Sequence, residues 1–153
     1  MDLILWRHAE AVESGEQLAD LERPLTARGE RQAARMAAWL NQQLPATTRV
    51  LVSPARRTQQ TAFALERKFR TVAALAPDAT PEAVLEAARW PSAKEPVLVV
   101  GHQPTLGLVA AQLLTGAQHA LAVKKGAVFW LRSREREGEG QVVLVAALTP
   151  AQV

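Results

Sequence analysis

The chain has 153 residues, enough for one ordinary domain, and residues 1–153 are expected to share a single core. Apolar residues make up 48% and charged residues 22%, near the averages for folded proteins, which argues against disorder and against a fibrous composition. With no cysteine there is no disulfide, thiolate metal site or cysteine nucleophile, and a formal charge of +3 is only a mild bias toward anionic partners.

The first predicted element is the apolar run Leu3-Ile4-Leu5-Trp6, of strand length, which follows an acid and stops at Arg7. A signal peptide has a basic start and a longer apolar stretch, so the expectation is a cytoplasmic protein. Thr26 stands where an N-cap belongs, ahead of a helical stripe of Ala33, Met36, Ala37, Leu40 and Leu44, and Pro45 lies just past its end. Val50-Leu51-Val52 is the next strand, and Ala62, Leu65 and Phe69 give a second helical stripe. Pro81 starts a shorter helix, Glu82 to Arg89, that Pro91 closes. Val97 to Val100 form another strand, followed by a third apolar stripe of Leu106, Val109, Ala110, Leu113 and Leu114. Two last strands, Ala127–Arg132 and Val142–Ala147, read as an antiparallel hairpin joined by the charged, glycine-bearing stretch Ser133–Gly140.

The continuous apolar runs, Val142–Val145 among them, look like strands buried on both faces. Their alternation with helices predicts an α/β fold, a three-layer α/β/α sandwich with a mostly parallel sheet and an antiparallel edge. No apolar stretch reaches the ~18 residues that a bilayer span requires, so no membrane is expected as partner.

Ligands of such sheets bind beyond the carboxyl ends of the strands. Arg7-His8 follows the first strand, Ser53-Pro54-Ala55-Arg56-Arg57-Thr58 the second, and Gly101-His102-Gln103-Pro104 the run Val97–Val100. Each alone is a polar residue where a strand meets water; together they place two of three histidines, with arginines, at strand ends. Phosphoryl transfer asks for an in-line nucleophile and fixed positive charge around the equatorial oxygens, which Arg, Arg and His can supply. Guanidinium neighbours also disfavour protonation of a histidine nucleophile and so help keep it reactive. The competing reading, a metal held by His8 and His102, suffers from the adjacent arginines and from Glu10 as the single nearby carboxylate.

Leu5-Trp6-Arg7-His8-Ala9-Glu10-Ala11, Arg23-Pro24-Leu25-Thr26 with Gly29 and Gln32-Ala33, Ser53-Pro54-x-x-Arg57-Thr58-x-x-Thr61, and Val99-Val100-Gly101-His102 occur in this order. The set resembles the motifs of the histidine phosphatase (phosphoglycerate mutase-like) superfamily, and the small chain with Arg-Pro-Leu-Thr and Gly-His-x-Pro is most similar to phosphohistidine phosphatases of the SixA type. The resemblance implies His8 as nucleophile, Arg7, Arg57 and His102 as the phosphate pocket, and Arg23 at its rim as a substrate-binding residue. Motif spacing selects Arg57 over its neighbour Arg56. Ala9 departs from the glycine common in relatives, a mild change if its φ is negative.

The resemblance further implies a metal-independent phosphatase with no cofactor, which hydrolyses phosphohistidine on a signalling or phosphocarrier protein through a covalent intermediate. A phosphatase for a small phosphorylated metabolite would use the same residues, and a non-catalytic module that binds phosphorylated partners is the alternative of a different class. Mutase-like relatives add a carboxylate acid; Glu82 and Glu86 are the candidates, although both read more simply as solvated helix residues. His119 reads as a surface residue, and Trp39, Trp90 and Trp130 as packing residues. Lys124-Lys125-Gly126 reads as a solvated turn, since no basic stripe or aromatic platform for nucleic acid accompanies it in the sequence.

Overall fold

The computed structural model describes residues 1–153. Its elements are β1 (Asp2–Arg7), α1 (Ala27–Gln43), β2 (Arg49–Val52), α2 (Arg56–Phe63), β3 (Arg70–Thr71), α3 (Pro81–Ala88), β4 (Val97–Gly101), α4 (Thr105–Thr115), β5 (Val128–Arg136) and β6 (Glu139–Leu148). Short 3₁₀ turns cover Asp20–Glu22, Ala73–Leu75 and Pro150–Gln152. The six strands form one sheet in the order β3-β2-β4-β1-β5-β6. Pairing is parallel from β3 through β1 and antiparallel from β1 to β5 and β5 to β6.

Side chains alternate across a strand, and here both sides are apolar. Ile4, Trp6, Val50, Val52, Leu98 and Val100 pack under Met36, Ala37 and Leu40 of α1 and Ala62 of α2. Leu3, Leu5, Leu51, Val97 and Val99 pack on the other face under Val84 and Ala88 of α3 and Leu106, Val109 and Ala110 of α4. The result is the expected three-layer sandwich. Each fully buried Leu, Ile or Val contributes roughly 1.5–3 kcal/mol relative to exposure, so the two faces together hold β1 and β4 rigidly at the centre.

Local signals agree with the elements they predict. The Thr26 hydroxyl accepts from the Gly29 amide at 3.0 Å and caps α1, and the Thr80 side chain accepts from Ala83 at 3.1 Å behind Pro81. Gly29 is required by packing: a Cβ there would meet the Glu10 carbonyl oxygen at 2.0 Å. The start of α1 thereby lies directly against the backbone two residues beyond His8.

Three sequence expectations are corrected. The second stripe does not continue as helix to Phe69; α2 ends at Phe63, where Leu65 donates to Ala62 in a tightened turn and Glu66 takes φ 54°. Leu65 still reaches the core from that turn. The hairpin connection is Glu137-Gly138 alone, both residues at positive φ, because a two-residue turn of that hand matches the strand twist and lets charged residues continue the ladder in solvent. Finally, Val142–Val145 lies on the edge strand β6, with Leu144 and Val145 45% and 41% exposed, so this run is not buried on both faces. The two-residue strand β3 is too short and polar for an apolar pattern to reveal. No helix is long and apolar enough to cross a membrane.

Candidate active site

β1, β2 and β4 are neighbours in register, so their carboxyl ends deliver Arg7, Ser53 and Gly101 to one edge of the sheet. His8 and His102 follow at once, and their rings lie 5.4 Å apart, centroid to centroid. The His8 amide donates to the Gly101 carbonyl at 3.1 Å, which ties the two strand ends together. Both rings are buried, 5% and 4% exposed.

The His8 Nδ1 lies 2.7 Å from the Ala9 carbonyl oxygen. A carbonyl can only accept, so Nδ1 carries the proton and Nε2 holds the free lone pair. Burial, then the proximity of His102, Arg57 and Arg7, pushes the ring pKa from 6.5 down to about 3 against the opposing pull of the Ala9 carbonyl. His8 is therefore a neutral imidazole at physiological pH. Burial first and Arg57 next push His102 down to about 4 against the opposing pull of Asp20, so at rest it meets an anion as a neutral ring and not as the fixed positive charge expected of it from the sequence.

Arg57 is buried at the start of α2 and donates from Nη1 to the Asp20 carbonyl at 2.8 Å and from Nη2 to the Asp20 carboxylate at 3.2 Å. Arg7 donates from Nη1 to the Val123 carbonyl at 2.8 Å. Burial lowers the pKa of both guanidiniums, and for Arg7 the charge of Arg57 adds to it; both groups stay cationic. Arg23, expected at the rim, donates to the Val12 carbonyl at 2.6 Å and to the other Asp20 carboxylate oxygen at 3.0 Å. Arg56, the neighbour of Arg57, is exposed.

The Arg7 Nε, Arg57 Nε and His102 Nδ1 atoms are buried without a hydrogen-bond partner in the protein. Buried polar nitrogens are seldom left so, and three from residues of one site fit the oxygens of an anion. The residues come together in no group of three or more His, Asp or Glu side chains able to hold a metal ion.

Several supporting groups were not assigned from the sequence. Ser53 Oγ lies 2.7 Å from His102 Nε2, and Thr61 Oγ1 accepts from the Ala9 amide at 3.1 Å, so two motif residues orient the histidine segments. The bridge that Asp20 makes between Arg57 and Arg23 has no signal in the sequence beyond an acid three residues before Arg23. Its carboxyl is held below the usual range by the Arg23 hydrogen bond first, then by Arg57 against desolvation. Glu82 and Glu86 are exposed, and Glu82 accepts from Gln118 at 3.0 Å.

The sequence model of the histidine phosphatase superfamily (branch 1) matches residues 3–82. An uncharacterized protein of Picosynechococcus sp. is 35% identical over 141 residues, 87% of this chain and 86% of that one. An uncharacterized protein of Mycobacterium tuberculosis is 34% identical over 120 residues, covering 76% and 75% of the two chains. Among solved structures, the SixA protein of Nakamurella multipartitia, provisionally assigned as a phosphohistidine phosphatase, superposes with TM-score 0.78 at 26% identity, covering 97% of this chain and 95% of that one. The protein histidine phosphatase SixA complexed with tungstate has the same fold, with TM-score 0.76, 24% identity and coverage of 99% and 98%. The matched residues span the arginine-histidine motif and the second arginine motif, and the remaining histidine closes the same pocket, so the chain belongs to the histidine phosphatase superfamily and is a SixA-like phosphatase.

Proposed function

We propose that this phosphatase hydrolyses phosphohistidine on a protein, with His8 Nε2 as nucleophile and without a metal ion. The observation that carries the reading is a buried neutral His8, its Nδ1 committed to a carbonyl, beside three residues with unpartnered buried nitrogens. In the first step the substrate ring, protonated from solvent on its distal nitrogen, leaves as a neutral imidazole as Nε2 attacks phosphorus and the substrate's P–N bond breaks. Water then cleaves the new P–N bond, releases inorganic phosphate and regenerates His8. Arg7, Arg57 and His102 hold the equatorial oxygens through both steps, and Arg23 binds substrate at the rim.

Two features favour phosphohistidine over an alkyl phosphate. The leaving imidazole is far less basic than an alkoxide, so cleavage needs less from a general acid, and both carboxylates on α3 face solvent. The SixA structures add the same substrate class by likeness. The test compares kcat/KM for a phosphohistidine peptide, an aryl phosphate and a simple alkyl phosphate, each with and without EDTA. We expect the alkyl ester to lag by about 10²–10⁴, the usual worth of general acid catalysis, with EDTA inert. An alkyl phosphate turned over as fast as the peptide would overturn the reading in favour of a small-metabolite phosphatase, with Glu82 and Glu86 the first residues to replace. Loss of activity in EDTA would place a metal in the site.

A further inference from the structure

A second charged feature lies beside the pocket. Arg28, Arg31 and Arg35 stand at helical spacing along one face of α1, and Lys124 and Lys125 approach from the turn before β5. They line an open cleft of about 440 Å³ that contains no acidic side chain. Arg31, Lys124 and Lys125 form no ion pair; Arg28 lies 3.8 Å from Glu10, and Arg35 donates to the Val153 carbonyl at 2.6 Å. Five cations converging with so little neutralisation create a local positive field that the modest net charge conceals.

The cleft shares its wall with the active site. The Gly126 amide, next to Lys125, donates to the carbonyl oxygens of Arg7 at 3.1 Å and His8 at 2.9 Å, and Arg7 binds the Val123 carbonyl just before Lys124. Gln32, between the cleft arginines, accepts from the Glu10 amide at 3.0 Å. Gly126 itself packs so closely under Pro150 that a Cβ would meet its ring at 2.8 Å, which fixes the lysine turn against the 3₁₀ turn at Pro150.

We infer that this cleft docks an acidic helix face of the phosphoprotein substrate while its phosphohistidine occupies the His8 pocket. The inference rests on the phosphohistidine reading for the identity of the partner. Arg28, Arg31 and Arg35 rise about 10 Å along α1, the spacing of carboxylates at i, i+3 and i+7 on a facing helix. Docking of this kind raises the encounter rate and selects the partner, and it vanishes with salt.

The test separates docking from chemistry. A labelled helical peptide with glutamates at i, i+3 and i+7, without phosphate, is titrated by anisotropy against the wild type and the Arg31→Glu/Lys124→Glu variant, with a glutamine version as control. The same acidic peptide bearing phosphohistidine and an aryl phosphate are then assayed for turnover. We expect the acidic peptide alone to bind, binding to weaken at least about tenfold in the variant and in 300 mM salt, and kcat/KM to fall about as much for the phosphopeptide only. Equal binding of the glutamate and glutamine peptides, or a variant that binds and turns over the acidic peptide as well as the wild type, would overturn the inference. So would displacement of the peptide by a short oligodeoxynucleotide at lower concentration than by unlabelled peptide, which would make the cleft a nucleic-acid surface. Salt-sensitive binding without hydrolysis of the phosphopeptide would uphold docking while refuting the phosphohistidine reading.

Discussion

Two neutral histidines buried side by side make the stability of this protein depend on pH in a defined window. Burial depresses His8 and His102 from 6.5 to about 3 and about 4, so between those values and 6.5 the unfolded chain binds protons that the folded one refuses. Stability rises with pH wherever the unfolded state holds more protons; it is therefore full above 6.5 and is lost as pH falls toward 4. From pH 7 to pH 5 each ring costs about 2 kcal/mol, so the pair removes about 4 kcal/mol of a total that is typically 5–15 kcal/mol. Carboxylates do not confuse the window, because Asp2 and Asp20 lie below 3.8 when folded and lose their contribution only as pH falls through lower values. Urea unfolding followed by fluorescence of the four tryptophans, at pH 7, 6 and 5, measures the effect. The wild type should lose about 4 kcal/mol over that range and a His8→Gln/His102→Gln variant far less. Parallel pH curves for the two proteins would refute the assignment.

Replacing Arg57 by alanine should lower kcat/KM by about 10²–10³, as loss of an oxyanion donor does, while Arg56→Ala stays within about twofold; equal effects would show the motif register to be wrong. Asp20→Asn removes a carboxylate that bridges Arg57 and Arg23 at 3.2 and 3.0 Å, so competitive inhibition by inorganic phosphate should tighten several-fold. Weaker inhibition would show instead that Asp20 positions Arg57 for the anion.

Much of this architecture is legible in the sequence because its strands are continuous apolar runs and its helices carry clean stripes. Leu3–Trp6, Val50–Val52 and Val97–Val100 read as strands buried on both faces, and in a parallel sheet the residues after each run share one edge, although their order in the sheet is set by pairing that no run reveals. Motif spacing also distinguished buried Arg57 from exposed Arg56. Features governed by single backbone angles were hidden: the end of α2 at Phe63 depends on a tightened turn, and the hairpin at Glu137-Gly138 on two positive φ values. Asp20 was hidden for another reason. Its role arises from a contact across 37 residues with Arg57, and no local pattern announces such a pair. The basic cleft likewise joins α1 to residues near Lys124 that appear in the sequence as an isolated turn.

The placement of His8 also accounts for how one ring serves as both nucleophile and carrier on the proposed reading. In the resting state burial and two guanidiniums keep it neutral, although the Ala9 carbonyl pulls the other way by accepting from Nδ1 at 2.7 Å. Once Nε2 bonds to phosphorus the ring gains positive character and Nδ1–H becomes a stronger donor, so the same hydrogen bond is strengthened as the reaction proceeds. The dianionic phosphoryl group meanwhile neutralises the field of Arg7 and Arg57 that opposed charge on the ring. Groups that favour the phosphorylated ring over the resting ring lower the barrier between them, whereas a carbonyl that bound both equally would only hold the side chain in place. The backbone thus supplies at His8 what a carboxylate supplies to histidines elsewhere, a fixed tautomer, without adding a negative charge next to an incoming phosphate.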